Sequence, residues 1–231
     1  MLVNKLPRLV LFDLDGTLID TVPYLNIAVN AALEKLGYPQ VDESLTRIYV
    51  GNGPYVLLAR AIKRRLDATL NDIDQVKLRV GVDEFNRVYR TQTNCRKDIY
   101  KGVLETLDYF RENNVKMAIV TNKPDMFVKD ILCDSGLDGY FSYFLGSGVI
   151  EEKKPDPTPL LYVANKLNID ISDCVMVGDS LNDIIAAKNA KCCSIALTYG
   201  YNHGKDIRES NPDYVFDDFI KIKELFDNKK I

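Results

Sequence analysis

Histidine occurs once, at His203, and no Cys-x-x-Cys pair exists. Ligand spacing for zinc is therefore missing. The five cysteines, Cys95, Cys133, Cys174, Cys192 and Cys193, are odd in number. They read as small buried hydrophobes of a reducing compartment. Basic charge is not in excess: 30 Lys and Arg stand against 33 Asp and Glu, a net charge of −3. That balance argues against a nucleic-acid surface. No apolar run approaches the length of a membrane span. The first eight residues, with Asn4, Lys5 and Pro7, lack the apolar region of a signal peptide, so the chain is expected in the cytoplasm. Internal repeats and low-complexity tracts are absent as well. What remains is a chain of 231 residues, 46% apolar, which suits one large folded domain or two smaller ones.

The stretch 9–20, Leu-Val-Leu-Phe-Asp-Leu-Asp-Gly-Thr-Leu-Ile-Asp, organises the rest. Its apolar lead reads as a buried parallel strand, and Gly16 as the turn that ends it. Ligands of open α/β sheets bind beyond the carboxyl ends of the strands, which puts Asp13 and Asp15 at the mouth of a site. Two such carboxylates disfavour each other's ionised forms unless a cation offsets them. With a bound metal, one stays ionised as nucleophile or ligand while the other holds a proton as general acid.

Residues 21–91 carry helical spacing and no strand signal. Leu25, Val29, Ala32, Leu33 and Leu36 recur at intervals of three and four, and Gly37 ends the run. Pro54 predicts the first position of a second helix, and a third is predicted over about 72–89. Beyond the insert, helices (102–113, 126–135, 158–167, 180–189) alternate with strands (115–120, 143–145, 175–177, 194–197). The tail, 228–231, is expected to fray. Alternation predicts an α/β chain with a doubly wound parallel sheet. The catalytic core is then discontinuous, 1–20 and 92–231, with 21–91 inserted after the first strand as a small all-helical cap that selects the substrate.

Each polar cluster follows a predicted strand. Thr121 and Asn122 end the second, where a hydroxyl and backbone amides hold phosphate oxygens or simply make a turn. In Lys153-Lys154-Pro155-Asp156-Pro157 the prolines fix the path of the chain. A lysine held there offsets charge on a transferring phosphoryl group; the bland alternative is a solvated basic turn. Gly178-Asp179-Ser180-Leu181-Asn182-Asp183 closes the set.

Asp13-Leu14-Asp15-Gly16-Thr17 resembles the first motif of the haloacid dehalogenase superfamily, most of whose members are phosphatases. In the third motif of that superfamily the lysine directly precedes the proline, so Lys154 is the match and Lys153 is not. The stretch 178–183 resembles the fourth, Gly-Asp-x-x-x-Asp. The resemblance implies Mg²⁺ bound by Asp13, Asp179 and the backbone carbonyl of Asp15. It implies phosphate held by Thr121, Asn122 and Lys154, and a covalent phosphoryl intermediate on Asp13 with Asp15 as acid and base. Asp183 is either a carboxylate supporting the metal ligands, a ligand through water, or an acid favoured by the start of a helix. Asp15 argues against dehalogenation, since dehalogenases of the superfamily lack an aspartate there.

Substrate choice falls to the cap. Tyr49-Val50-Gly51-Asn52-Gly53 is a glycine-bracketed loop that opens a helix; it suits close backbone approach to an anion, or is an ordinary turn. Together with Arg60, 120–124 and 197–202 (Leu-Thr-Tyr-Gly-Tyr-Asn), it resembles a branch of the superfamily whose substrate bears a carboxylate beside its phosphate. Gly51, Asn52, Arg60 and Lys123 are the specificity candidates, with surface exposure the alternative for both cations. Tyr24, often small or acidic in relatives, lies near the expected hinge; His203 receives no role. The partner expected is a small phosphorylated metabolite, with neither nucleic acid nor membrane, and the protein a monomer or homodimer. Rival readings are a pyrophosphatase, a sugar-phosphate phosphatase or a β-phosphoglucomutase on the same fold. Mutases often carry Val where this chain has Thr17. A non-catalytic binding protein is the remaining rival, opposed by the presence of Asp13, Asp15, Lys154 and Asp179 together.

Overall fold

The structure is a computed structural model that describes residues 5–92 and 98–227; Cys95 and the tail expected to fray lie outside them. Its strands are β1 (Leu9–Phe12), β2 (Lys116–Pro124), β3 (Tyr143–Ser147), β4 (Cys174–Gly178), β5 (Cys193–Leu197) and β6 (Tyr214–Phe216). They form one parallel sheet in the order β3-β2-β1-β4-β5-β6. β1 lies between β2 and β4, with Phe12 paired to Ile119 and to Val177. This is where the strand order reverses, and the crevice of an open α/β sheet opens at that point.

Parallel strands are covered on both faces, and successive side chains point to opposite ones. Accordingly, Val10 and Phe12 of β1 join Met117, Ile119, Val175 and Val177 in one layer. Leu9 and Leu11 join Ala118, Val120, Cys174 and Met176 in the other. The first layer packs under α5 (Val103–Glu112), α6 (Asp125–Ser135) and α9 (Ile220–Asp227), and the second under α7 (Thr158–Lys166) and α8 (Leu181–Ala190). Phe12 anchors the first layer, stacked 6.0 Å from Phe219 and flanked by Phe110 and Phe141.

Between β1 and β2 stand α1 (Val22–Lys35), α2 (Glu43–Tyr49), α3 (Pro54–Lys63) and α4 (Gln75–Tyr89). α1 buries Leu25, Val29, Ala32 and Leu33 on the expected stripe, and Pro54 opens α3 as expected. α2 was not expected. It has seven residues, buries only Thr46 and Tyr49, and is set by Asp42, whose carboxylate accepts from the Leu45 amide at 2.8 Å. α4 starts at Gln75 rather than near 72 because Asp74 caps it, accepting from the Lys77 amide at 2.8 Å. The chain leaves for the insert and returns from it side by side. The Asp20 amide donates to the Asp98 carbonyl at 2.9 Å, and the Tyr100 amide to the Leu18 carbonyl at 3.0 Å.

Two further departures bear on the site. β2 continues through Thr121–Pro124 where the sequence suggested a turn, with its pairing to β3 shifted between Val120 and Pro124. The edge strand β6 and the helix α9 carry too short a pattern to be read in advance. No helix among the described residues is long and apolar enough to cross a membrane.

Candidate active site

All the motif residues meet beyond the carboxyl edge of the sheet. Asp13 follows β1 directly, its amide bonded to the Val177 carbonyl at the end of β4. Lys154, in the β3–α7 connection, is buried and points back under the sheet edge. Its Nζ lies 3.1 Å from Asp13 Oδ1, 2.7 Å from Asp183 Oδ1 and 2.6 Å from the Val120 carbonyl. Asn122 fixes this lysine: its side-chain oxygen accepts from the Lys154 amide at 3.0 Å and its Nδ2 donates to the Lys154 carbonyl at 2.9 Å.

Of the roles open to Asp183, the acid at a helix start is the one its hydrogen bonds display, and it adds an ion pair that was not expected. Oδ2 closes the start of α8, accepting from the Ser180 amide at 3.0 Å and hydroxyl at 3.1 Å, while Oδ1 takes Lys154. Asp13, Asp179 and Asp183 each offer a carboxylate oxygen within 4.8 Å of the others. Burial, with Asp183 and Asp13 close by, pushes Asp179 well above the usual carboxylate range despite the Thr17 hydroxyl and Tyr201 amide it accepts from. Burial likewise pushes Asp13 up to about 6, against the pull of Lys154. Three clustered acids, of which only Asp13 and Asp183 share a lysine, bring more carboxylates together than one cation offsets, and an all-oxygen donor set of this kind suits a hard divalent cation.

Asp15 faces a second lysine. Lys123 Nζ donates to both its oxygens at 2.9 Å, and the Thr21 hydroxyl donates to Oδ1 at 2.7 Å. The same ammonium donates to the hydroxyl of Tyr89 in α4 at 2.7 Å. Burial alone would lower the pKa of Lys123, but Asp15 and Tyr89 hold it above its usual range. Gly16 turns the chain directly after Asp15 at φ +84°, and a side chain there would run into Asp179 and Tyr201.

A cavity lies over these groups. Asp13, Asp15, Thr121, Lys123 and Asp179 line its sheet side. Leu25, Leu57, Phe85 and Tyr89 of the insert, with Phe127 of α6, line the other. Gly51 and Gly53 also line it, and the Gly51 carbonyl accepts from Asn122 at 3.1 Å and from Asn182 at 3.3 Å. Asn52 and Arg60 are not among the lining residues. Arg60 donates to the Tyr49 carbonyl at 2.7 Å, and its Nε is buried without a partner. His203 Nδ1 bonds the Ile48 carbonyl at 2.8 Å. The Tyr24 hydroxyl donates to Asp98, in the segment by which the chain returns from the insert.

The haloacid dehalogenase-like hydrolase family matches residues 10–197 of the sequence. The chain belongs to that family. The matched span contains Asp13, Asp15, Lys154, Asp179 and Asp183. Among curated relatives, the phosphoglycolate phosphatase of Vibrio parahaemolyticus serotype O3:K6 is 43% identical over 218 residues, 94% of this chain and 95% of that protein. The phosphoglycolate phosphatase of Pseudomonas syringae pv. tomato is 40% identical, covering 96% of this chain and 80% of its own. A crystal structure described as that of a predicted phosphoglycolate phosphatase from Haemophilus somnus 129pt superimposes with a TM-score of 0.86 at 36% identity, over 94% of this chain and 97% of the other.

Sequence reasoning passed over Thr17 and Tyr201. The Thr17 hydroxyl donates to Asp179 Oδ1 at 2.5 Å, and the Tyr201 amide donates to Asp179 Oδ2 at 2.5 Å. Both lay inside stretches the sequence had singled out, yet neither type signals by itself that it will hold a carboxylate.

Proposed function

We propose that this protein is a phosphomonoesterase that converts 2-phosphoglycolate and water to glycolate and phosphate, with Mg²⁺ as its cation. The observation that carries the reaction type is the Lys154 ammonium, shared between Asp13 and Asp183 beside Asp179. An Asp13 oxygen attacks phosphorus in line; the ester P–O bond breaks, and the departing glycolate oxygen takes a proton from Asp15. Water then gives a proton to Asp15 and attacks the aspartyl phosphate, which releases phosphate and restores Asp13. Lys154 and the Thr121 hydroxyl neutralise the phosphoryl oxygens throughout. Asp13 and Asp179, with Asp183 in the same cluster and the Asp15 carbonyl, would hold the cation, which when bound adds positive charge beside those oxygens. Asn122 contributes by clamping Lys154.

The substrate reading rests on relatives named phosphoglycolate phosphatase and on Lys123. Among the described residues, Lys123 is the only Lys or Arg that lines the cavity, so it is the better partner for a substrate carboxylate than Arg60. Residues 21–91 act as the cap over a core of 1–20 and 92–231, excluding water during the first step. The enzyme works on a small metabolite in the cytoplasm. Thr17 weighs against the mutase alternative, because valine could not donate the bond it makes to Asp179.

The test is phosphate release from 2-phosphoglycolate with and without Mg²⁺, beside phosphoserine, glucose phosphates and pyrophosphate. Asp13→Asn is expected to abolish turnover on all of them. Preference for another ester keeps the chemistry and moves the substrate; activity surviving in the variant removes Asp13 as nucleophile.

A further inference from the structure

The stretch 197–202 was singled out in the sequence, and the chemistry above leaves it without a task; its loop continues past β5 to His203. In the fold it touches both halves of the molecule. On the core side the Tyr199 hydroxyl donates to the Thr17 carbonyl at 2.8 Å, and Asn202 accepts from the Leu181 amide at the start of α8 at 2.9 Å. Gly200 lets the loop press against Asp179, since a side chain there would overlap that carboxylate.

Tyr201 joins the halves by itself. It is 3% exposed and lines the cavity. Its amide donates to Asp179 Oδ2. Its hydroxyl donates to Asp20, where the chain departs for the insert, and accepts from the Val22 amide at the first residue of α1 at 3.3 Å. The Arg47 guanidinium of α2 stands 5.0 Å over its ring and pairs with the same Asp20 at 2.9 Å. The Val22 amide has Asp20 Oδ1 as a second, longer acceptor at 3.4 Å.

We infer that Tyr201 is a positioning residue: its backbone fixes the Asp179 carboxylate while its hydroxyl fixes the hinge at Asp20 and Val22, so that one residue sets the metal-site acid and the closed placement of the helical insert together. The inference rests on the phosphatase reading only for its kinetic consequence. A hydrogen bond to a charged acceptor contributes more than a neutral one, and a tie that is made in this arrangement and lost when the insert opens would favour this arrangement by its own free energy.

Tyr201→Phe separates the two functions, because it keeps the ring and the amide and removes only the hydroxyl. The expected result is a KM raised about tenfold with kcat within about twofold, and an unchanged Mg²⁺ concentration for half-activation. Hydrogen exchange read without substrate is expected to speed about fivefold in peptides spanning Val22, with the sheet strands unchanged. Asp20→Asn is expected to act in the same direction, and the double variant to fall short of the sum of the two. Unchanged KM and unchanged exchange would overturn the inference. So would a lowered kcat at constant KM, full additivity, or protection lost evenly across the sheet, which marks a residue that merely stabilises the fold. Should phosphoglycolate not be turned over, KM is read on p-nitrophenyl phosphate; should that fail too, the exchange experiment alone decides, so the two readings fail separately.

Discussion

Lys154 and Lys123 are buried almost equally, with side chains 1% and 3% exposed, and each grips an aspartate of the same motif. What holds them differs. Among the described residues, every hydrogen-bond partner of the Lys154 ammonium belongs to the sheet half: Asp13, Asp183 and the Val120 carbonyl. Lys123 spans the boundary, with Asp15 on the sheet side and Tyr89 on the insert. Tyr89 is in turn part of an aromatic wall, stacked 5.6 Å from Phe85 and edge-on to Phe127 at 5.1 Å. The surroundings of Asp13 are thus complete without the insert, whereas those of Asp15 include it. In a two-step phosphoryl transfer this division has a use. On the mechanism proposed above, the nucleophile would stay in place while the insert opens and closes, and the acid would meet its full set of neighbours only once the substrate is enclosed.

The sharpest way to break the comparison is Lys154→Met. It leaves the fully buried Asp183 and its neighbour Asp13 without their shared cation. Removing one partner of a buried pair costs about 3–5 kcal/mol, and losing a charge aimed at phosphoryl oxygens costs about 10²–10³ in kcat. Both losses are expected, the first in denaturant titration and the second in steady-state kinetics. A variant of normal stability that loses activity only through KM would show that Lys154 is not part of the rigid half.

Lys123→Met tests the other half and is expected to do less. The methionine keeps much of the stem packing against Tyr89 while the ammonium goes. The expected result is a KM for phosphoglycolate raised about tenfold, with a smaller change for a phosphate ester that has no carboxylate. An equal rise for both esters would leave Lys123 as a support for Asp15 and Tyr89 and send the search for the carboxylate partner elsewhere.

These two halves were not equally legible. β1 and β4 are covered on both faces, so they read as unbroken apolar runs, and whatever follows them in sequence falls at the site. That is why Asp13, Asp15, Asp179 and Asp183 could be placed from the sequence, whereas Lys154, which follows the half-buried β3, was singled out only by the resemblance of its Lys-Pro pair to the third motif. α2 and β6 lacked any such signal, the one being seven residues with two buried and the other three half-buried residues at a sheet edge. The boundary between the halves was the least legible part. Its contacts join residues far apart in the chain, Asn122 to Gly51 across 71 positions and Tyr201 to Asp20 across 181, and no local pattern announces them. Arg60 and Lys123 looked equivalent as cations in the sequence. Only the way the insert folds over the sheet brings Lys123 to the cavity and turns Arg60 toward the Tyr49 carbonyl.

The smallest effect is a pH dependence that belongs to the sheet half. Asp13 is raised to about 6 by burial and by Asp183 and Asp15, against Lys154, and Asp179 moves in the same direction. Between about pH 4 and pH 6 the metal-free native protein therefore holds protons that the unfolded chain has already released. Stability without a cation is expected to fall as pH rises through that window. The surface acids held low by turn and cap hydrogen bonds, such as Asp42, Asp156 and Asp170, oppose this only below about pH 5, where their unfolded forms are still releasing protons. A divalent cation competes with the protons for the same carboxylates, so it should reverse the trend. Thermal melts with Mg²⁺ or with a chelator measure it: the cation is expected to raise Tm by a few degrees at pH 7.5 and by much less at pH 4.5. The same increment at both values would mean that the cation binds away from Asp13 and Asp179. A difference that survives in Lys123→Met but disappears in Asp179→Asn would assign the pH dependence to the rigid half alone.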